Sequence, residues 1–244
     1  MSRPHILREL GLGPVWRLRA QEAPSIAPPP EAAAERQPVA AAPATTPSAA
    51  SADDRAVTIA AMGWDELRDA VAACRACELC KQRKQAVLGV GDADADWLLV
   101  GEGPGAEEDE RGEPFVGQAG KLLDAMLATI DLKRGTDVYI ANTVKCRPPG
   151  NRTPEAEETA ACWPFLARQI ALIQPKLIVA LGRPAAQTLL QAEVKIGAAR
   201  GRLFEHQGIP LVVTYHPAYL LRNLPDKAKA WEDLCFMRRT MKGL

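Results

Sequence analysis

The sequence predicts an α/β protein, built as a three-layer α/β/α sandwich around a central, mainly parallel four-stranded sheet. Two observations predict this class. Segments with the apolar spacing of helices alternate with short apolar runs along the chain, an order that favours a parallel sheet. The runs are apolar almost throughout, as is typical of strands that are covered on both faces. They are WLLV (97–100), VYIANT (138–143), KLIVAL (176–181) and PLVVTYH (210–216).

Helices are expected before, between and after these strands. The first, GWDELRDAVAAC, places Trp64, Leu67 and Val71 on one face and carries two acidic residues in its first turn. The others are expected at residues 119–130, 154–173, 184–192 and 226–241. In a parallel sheet, ligands bind beyond the carboxyl ends of the strands. We therefore expect GEGPGAEED, the residues after Asn142, and HPAYLLR on one functional edge.

Composition indicates where the folded domain begins, and we expect it at residues 61–244. The chain has 244 residues, and its 30 Lys and Arg balance its 30 Asp and Glu, so global charge does not indicate nucleic acid. Residues 21–60 are rich in Ala and Pro and have too few large apolar side chains to offset the entropy of ordering, which predicts a disordered linker. Residues 1–20 include the apolar ILRELGLGPVW and predict a short docking arm for a protein partner. The alternative is an arm that folds back on the protein's own surface.

The amino-acid sequence shows neither a signal for export nor a segment for membrane insertion. The N-terminus lacks the apolar run and the cleavage site of a signal peptide. Apolar stretches stay well short of the roughly 20 residues that a membrane helix needs. We therefore expect a cytoplasmic monomer without a membrane partner, in which thiols stay reduced.

The cysteines predict a metal or cluster site. In a reducing compartment cysteines serve as metal ligands, catalytic groups or buried apolar residues more often than as disulfides. Cys74, Cys77 and Cys80 have the spacing that begins a ferredoxin-type run, without its fourth cysteine. Further ligands must come from later in the chain, where Cys146 and Cys162 are available. Spacing alone leaves open which near pair binds, and whether zinc or an iron–sulfur cluster is bound. Buried cysteines on helix faces are the alternative.

Several motifs occur together in a consistent order and spacing. They are C-x2-C-E-L-C, VLGVGDADADWLLVGEGPGAEEDERGEPFVGQAGKLLDAML, VYIANTVKCRPPGNRTP and TYHPAYLLR. Through them, residues 70–240 resemble the iron–sulfur uracil-DNA glycosylases called family 4. The resemblance implies the uracil-DNA glycosylase-like fold and a [4Fe–4S] cluster. By the family's spacing its ligands are Cys74, Cys77, Cys146 and Cys162, and the third near cysteine is only a neighbour of the cluster.

The resemblance also implies an activity. It indicates a monofunctional enzyme of base excision repair that flips deoxyuridine out of DNA, hydrolyses the N-glycosidic bond, and leaves an abasic site. Lysine is not found directly at the ends of the predicted strands, so strand cleavage is not expected. Uracil-containing DNA is the expected partner, and the nucleoid the expected location. The alternative is a non-catalytic iron–sulfur module that binds DNA or accompanies a DNA polymerase.

The turn after the first strand supplies three expected site residues. GEGPGAEED is neither a P-loop nor a dinucleotide motif. By resemblance, Glu102 orients the attacking water and faces the developing sugar cation, and Gly103 borders the uracil. Glu108 matches a position near C5 of the base, where a side chain could exclude the methyl group of thymine. The alternatives are a carboxylate that caps the turn, for Glu102, and a solvated acid, for Glu108.

Three further residues are expected to recognise the extruded base. Phe115 would stack on it, unless it is an ordinary core residue. The carboxamide of Asn142 can pair with N3–H and O4 of uracil, whereas cytosine presents the reverse pattern; a loop-capping Asn is the alternative. His216, as a neutral imidazole, can donate a hydrogen bond to O2 and stabilise the leaving anion.

The histidine loop also supplies the expected DNA contacts. Leu220 is a candidate wedge that fills the gap left by the extruded nucleotide. Its alternative is a leucine that is packed inward. Arg222, together with Arg147 and Arg152, is expected to contact phosphates, although surface arginines are usually just solvated.

Overall fold

The computed structural model describes residues 52–244. The predicted docking arm, residues 1–20, lies outside the described residues, and so does most of the predicted linker, residues 21–60. The described residues form one sheet of six strands. The strands are β1 (Val90–Gly91), β2 (Trp97–Gly101), β3 (Val138–Asn142), β4 (Leu177–Leu181), β5 (Leu203–His206) and β6 (Ile209–Thr214).

Four of these strands confirm the predicted parallel sheet. The order across the sheet is β1-β3-β2-β4-β6-β5, and β3, β2, β4 and β6 are parallel neighbours. The short strands β1 and β5 join the two edges in antiparallel orientation. Neither is among the predicted strands. β1 has only two residues, and in β5 only His206 is buried, so neither shows an apolar run.

The helices connect these strands and cover the sheet. In chain order they are α1 (Ala52–Ala61), α2 (Trp64–Ala73), α3 (Ala106–Arg111), α4 (Gln118–Ala128), α5 (Ala156–Ile173), α6 (Arg183–Leu190), α7 (Ile196–Ala199), α8 (Pro217–Arg222) and α9 (Asp226–Met241). Within residues 52–244, no helix combines the length and the apolar character that crossing a bilayer requires.

Both faces of the sheet carry a helical layer, which confirms the predicted sandwich. Successive residues of a strand point to opposite faces, so each central strand serves two cores. On one face, Leu98 of β2 belongs to a buried cluster with Leu166 of α5. On the other face, Leu99 belongs to a cluster with Leu123 of α4 and Leu234 of α9. The carboxyl ends of the parallel strands are left for the loops that build the site.

Helix α1 begins inside the segment that is predicted to be a disordered linker. Arg55 donates through Nη1 to the carbonyl of Ala161 at 2.7 Å, and its guanidinium lies 4.8 Å from the centre of the Phe165 ring. Ile59 is buried in the same apolar cluster as Phe165. The prediction for residues 52–60 is therefore wrong. Long-range contacts with α5, which local composition does not reveal, stabilise this helix.

Candidate active site and cysteine cluster

A cavity of about 800 Å³ opens at the carboxyl edge of the parallel sheet. Its walls come from the loops that follow β2, β3, β4 and β6, where ligands bind in sheets of this kind. Its size suits a nucleotide-sized ligand. The predicted site residues that line it are Glu102, Gly103, Glu108, Phe115, Asn142, His216 and Arg222. The fold therefore brings these seven predicted residues together around one cavity.

The carboxyl ends of β2 and β3 are paired side by side, and residues at both ends line the cavity. Gly101 pairs with Asn142 in the parallel register. Beyond that pair, the hydroxyl of Thr143 donates to the carbonyl of Glu102 at 2.5 Å. A Cβ on Gly101 would lie 2.5 Å from Oδ1 of Asn142 and 2.6 Å from Cζ of Phe115. Glycine is required there because these two side chains approach the backbone closely.

Asn142 presents a buried acceptor to the cavity. The residue is 2% exposed, and its Oδ1 has no hydrogen-bond partner among the described residues. Leaving a buried polar atom unsatisfied costs about 1–3 kcal/mol. Buried amide oxygens are therefore almost always paired. A ligand that donates an N–H at this position would satisfy the atom.

His216 accepts one hydrogen bond in this structure, and its burial favours the neutral imidazole. It follows β6 and caps α8, where its Nδ1 accepts from the backbone N–H of Ala218 at 3.1 Å. Burial, with a smaller contribution from Arg222 and opposed by Glu108, lowers the pKa of His216 to about 4. Near neutral pH the ring is therefore uncharged. Because Nδ1 accepts, the single ring proton is on Nε2.

Glu102 is a partly buried carboxyl with two partners that the sequence did not single out. Burial raises the pKa of Glu102, and a hydrogen bond with Thr153 and the positive charge of Arg183 oppose that rise. Both partners line the cavity. Thr153 lies beyond the end of β3 and Arg183 begins α6 directly after β4, and the fold brings both to Glu102.

Phe115 occupies a strained backbone position beside His216. Its φ of 54° is in the left-handed region, which is rare for a bulky residue. The centres of the Phe115 and His216 rings lie 5.4 Å apart, with 31° between the ring planes. The Phe115 ring is 6% exposed and forms one wall of the cavity.

Glu108 fastens two loops of the site instead of pointing into solvent. Its Oε1 accepts from the amides of Val116 and Gly117, at 2.9 and 3.0 Å. Its Oε2 accepts from the amide of Gly105 at 3.1 Å. The alternative of a solvated acid is therefore wrong. The neighbouring Asp109 is buried, and it accepts from the amide of Lys84 at 2.9 Å.

Leu220 lies in the core, which contradicts the wedge prediction. It is 1% exposed and belongs to the apolar cluster that includes Leu123 of α4. A wedge must reach the DNA, and a side chain packed under α8 does not. Its neighbour Leu221 is 41% exposed. The sequence has two adjacent leucines here, and the phase of a six-residue helix decides which of them points outward.

The three arginines that are predicted to contact phosphates differ in whether their side chains are already hydrogen-bonded to other protein groups. Arg222 lines the cavity. Arg152 also lines it, but its guanidinium donates to both carboxylate oxygens of Glu158, at 2.7 and 2.8 Å. Arg147 donates through Nε to Oδ1 of Asn151 at 2.7 Å. Arg222 therefore remains the predicted arginine that is best placed at the cavity.

A second, smaller cavity lies among the cysteines. It is lined by Cys74, Cys77, Cys80, Cys146 and Cys162, and all of them are free thiols. Four of the five share one apolar cluster, and Cys80 is outside it. Burial raises the pKa of Cys162 to about 12, while the neighbouring Lys145 opposes the rise. A thiol this deeply buried becomes a thiolate ligand only when positive charge compensates it.

The polar groups around these thiols fit a bound cluster. Arg83 donates through Nη1 to Sγ of Cys146 at 2.9 Å, and the amide of Lys145 donates to Sγ of Cys162 at 3.2 Å. Lys145 is 1% exposed, and its ammonium pairs with no carboxylate among the described residues. A buried cation needs an anionic partner, which a cluster ligated by thiolates would supply.

Among residues 52–244, no group of three or more His, Cys, Asp or Glu side chains is placed to hold a single metal ion. Five cysteines nevertheless line this one cavity.

Comparison with known proteins places the cavity inside a shared region. Residues 88–235, which include every residue lining the cavity, match the uracil DNA glycosylase superfamily. The type-4 uracil-DNA glycosylase of Pyrobaculum aerophilum is 42% identical over 182 residues, which cover 71% of this chain and 92% of that protein. The Thermotoga maritima type-4 enzyme is 48% identical over 158 residues, which cover 64% of this chain and 82% of that protein. The Archaeoglobus fulgidus type-4 enzyme is 45% identical over 165 residues, with the same two coverages.

Proposed function

The chain belongs to the uracil DNA glycosylase superfamily, and on that premise we propose that it removes uracil from DNA. In the proposed reaction a deoxyuridine leaves the base stack and enters the cavity, where its N-glycosidic bond is hydrolysed. The products are free uracil and an abasic site. The observation that carries the proposal is the buried Oδ1 of Asn142, which lacks a partner among the described residues and lies beside Phe115.

Base recognition depends on Asn142, Phe115 and Glu108. Oδ1 of Asn142 accepts the N3–H of uracil, and its amide nitrogen donates to O4. Cytosine has no proton on N3 and an amino group on C4, so both contacts would leave buried groups mispaired. The base stacks on the Phe115 ring. Glu108, held by three backbone amides, stands near C5 and excludes the methyl group of thymine.

Bond cleavage uses His216 and Glu102. The C1′–N1 bond breaks with its electron pair moving to uracil, and positive charge develops on the sugar. The Nε2–H of His216 donates to O2 of the departing uracil anion and stabilises it. The Glu102 carboxylate faces the sugar and orients a water molecule, whose oxygen bonds to C1′. The proton of that water passes to Glu102 and on to solvent, and the uracil anion takes up a proton from solvent.

The cysteine cluster forms the proposed cofactor site. Cys74, Cys77, Cys146 and Cys162 would hold a [4Fe–4S] cluster, with Cys80 as a neighbour. When bound, the cluster supplies a tie between the end of α2, the loop after β3 and helix α5. Its proposed role is structural.

The remaining proposals concern DNA, partners and location. The DNA backbone passes the mouth of the cavity, where Arg222 and Arg183 contact phosphates. The protein acts as a monomer in the cytoplasm, at the nucleoid. Residues 1–20 bind a protein partner.

One assay tests the activity and the cofactor together. The protein is purified without oxygen, its iron is measured, and oligonucleotides with one uracil are scored for free uracil and for alkali-labile abasic sites. We expect release of uracil, and a rate roughly 100-fold lower for His216→Ala, the usual loss when one donor to a developing anion is removed. Intact uracil-containing DNA after long incubation with excess enzyme contradicts the proposal. Binding without cleavage would indicate the non-catalytic module instead.

A further inference from the structure

The stacking residue Phe115 depends on contacts that lie outside the cavity. Its left-handed backbone, with φ of 54°, is strained for a residue that is not glycine. Such a conformation persists only where the surroundings hold it. The carbonyl of Phe115 also packs against the first turn of α4, where a Cβ on Gly120 would lie 1.7 Å from it. The backbone at Phe115 is therefore strained, and the first turn of α4 packs closely against it.

Arg134 holds the carbonyl side of this strained segment. It lies in the turn between α4 and β3, and it is not among the residues that line the cavity. Its Nη1 donates to the carbonyl of Pro114 and its Nη2 to the carbonyl of Phe115, both at 2.7 Å. Its Nε donates to Oδ1 of Asp124 at 3.0 Å, which orients the guanidinium. The side chain is 20% exposed.

The two sides of the segment are held by opposite charges. Glu108 accepts from the two amides that follow Phe115, and Arg134 donates to the two carbonyls at and before it. A carboxylate can only accept and a guanidinium can only donate, so each group meets the half of the peptide that it fits. The planar fork of arginine reaches two adjacent carbonyls at once, which lysine does not.

We propose that Arg134 is a positioning residue for base stacking: by holding the backbone of Phe115 in the left-handed region, it keeps the ring against the flipped base. The proposal rests on the proposed uracil-DNA glycosylase activity and names a residue outside the cavity on which that activity depends. Arg134 touches neither the substrate nor the reacting atoms, and it acts through Phe115 alone.

A double-mutant cycle tests this route. Single-turnover uracil release and inhibition by free uracil are measured for Arg134→Ala, Phe115→Ala and the double variant. Loss of stacking on one base lowers kcat/KM by roughly 10- to 100-fold. We expect Arg134→Ala to approach the loss of Phe115→Ala, and the double variant to be no worse than Phe115→Ala. Inhibition by free uracil weakens in parallel.

Matched variants separate positioning from general stability. Arg238→Ala removes an exposed ion pair with Asp131 in the same turn and should leave uracil release unchanged. Arg134→Lys keeps the charge but loses the fork, so it should restore only part of the activity. If Arg134→Ala has no effect, or lowers the rate by the same factor with and without Phe115, the proposal is wrong.

A crystal structure of Arg134→Ala tests the geometry without any activity. We expect the backbone of Phe115 to leave the left-handed region and its ring to move away from His216. An unchanged Phe115 overturns the proposal even if the variant is inactive. Wild-type protein that releases no uracil would overturn the proposed function instead, and the crystal structure would still decide whether Arg134 holds the loop.

Discussion

Burial pushes the two candidate catalytic side chains toward their neutral forms, with different consequences. It raises the pKa of Glu102 and lowers the pKa of His216 to about 4. In the proposed reaction His216 donates as a neutral imidazole, so the lowered pKa of His216 keeps it in the required form above about pH 4. Glu102 must be ionised in that reaction to face the sugar cation. We therefore expect the protonation of Glu102 to limit the reaction in acid.

We predict a single acid limb in the pH profile of uracil release. As pH falls through the raised pKa of Glu102, the carboxylate is protonated, and kcat/KM should fall about tenfold per pH unit. The limb should lie above pH 4.5, the ordinary value for this carboxyl. Profiles of the wild type and of Glu102→Gln are compared. The variant should be slower and lack the limb, and an identical limb in both would assign it to another group.

The residues that the sequence predicted share a position in the fold. Glu102, Asn142 and His216 each follow a parallel strand, and such positions meet at one edge whatever the details of packing. Thr153 lies well beyond the end of β3, and Arg183, although it follows β4 in the same way, was not predicted. Their role is a contact with Glu102, and a contact between distant segments leaves no local pattern.

At the scale of elements, the short helix α8 decides which leucine can reach DNA. Leu220 faces α4 and the core, and Leu221 is exposed on the other side. Helical residues that are adjacent in sequence do not share a face. We infer that Leu221 takes the part of the wedge, because it belongs to the same loop as His216 and points outward.

Substitution of the two leucines should therefore have different effects, on uracil release for Leu221 and on stability for Leu220. Leu221→Ala should lower uracil release from duplex DNA more than from single strands, because only a duplex leaves a gap for the wedge to fill. Its thermal stability should be unchanged. Leu220→Ala removes a buried side chain and should cost about 2–5 kcal/mol of unfolding free energy. Melting curves and release rates on both substrates measure the difference, and the reverse assignment would restore Leu220 as the wedge.

Helix α1 covers the cysteine cluster from the N-terminal side. Arg55 donates to the carbonyl of Ala161, next to Cys162, and its Nη2 lies 3.5 Å from Sγ of Cys74. Hydrogen bonds to ligand sulfurs stabilise and tune a cluster. The segment that composition assigned to the linker thus contributes a contact to the proposed cofactor site.

We predict that Arg55→Ala loses iron faster than the wild type. Removing an outer contact of this kind typically weakens metal binding by roughly 10-fold or more. Iron released to a chelator is followed by absorbance, without any activity assay. Arg68→Ala, which removes an exposed ion pair with Asp65 on α2, is the control and should match the wild type. Equal rates for Arg55→Ala and the wild type would show that α1 does not protect the cluster.

At the scale of the whole molecule, the sandwich was predictable because its four buried strands are apolar runs in the sequence. The two edge strands were not predictable, because β1 has only two residues and β5 is mostly exposed. Glycine makes β1 possible: a Cβ on Gly91 would lie 2.2 Å from the carbonyl of Val138. Such steric requirements depend on the neighbouring strand, and periodicity in one segment cannot reveal them.

A single buried side chain connects the two sites across the molecule. The ammonium of Lys145 donates to the carbonyl of Asn142 at 2.9 Å and to Oε1 of Gln169 on α5 at 2.5 Å. Its own amide donates to Sγ of Cys162. Asn142 and Cys146 therefore lie on one short loop, only four residues apart, and we expect disorder at Cys146 to reach Asn142.

This connection predicts that losing a cluster ligand abolishes recognition as well as iron binding. Cys146→Ser should lose most of its iron and its uracil release together, because the loop after Asn142 is no longer tied to α2 and α5. Cys80→Ser is the matched control: Cys80 lines the same cavity but is outside the apolar cluster of the other four cysteines, so it should keep both. Iron content, visible absorbance and release rates are measured on the same samples. A Cys80→Ser protein as iron-poor as Cys146→Ser would show that the ligand set is assigned wrongly, and an iron-poor but fully active Cys146→Ser would show that the two sites are independent.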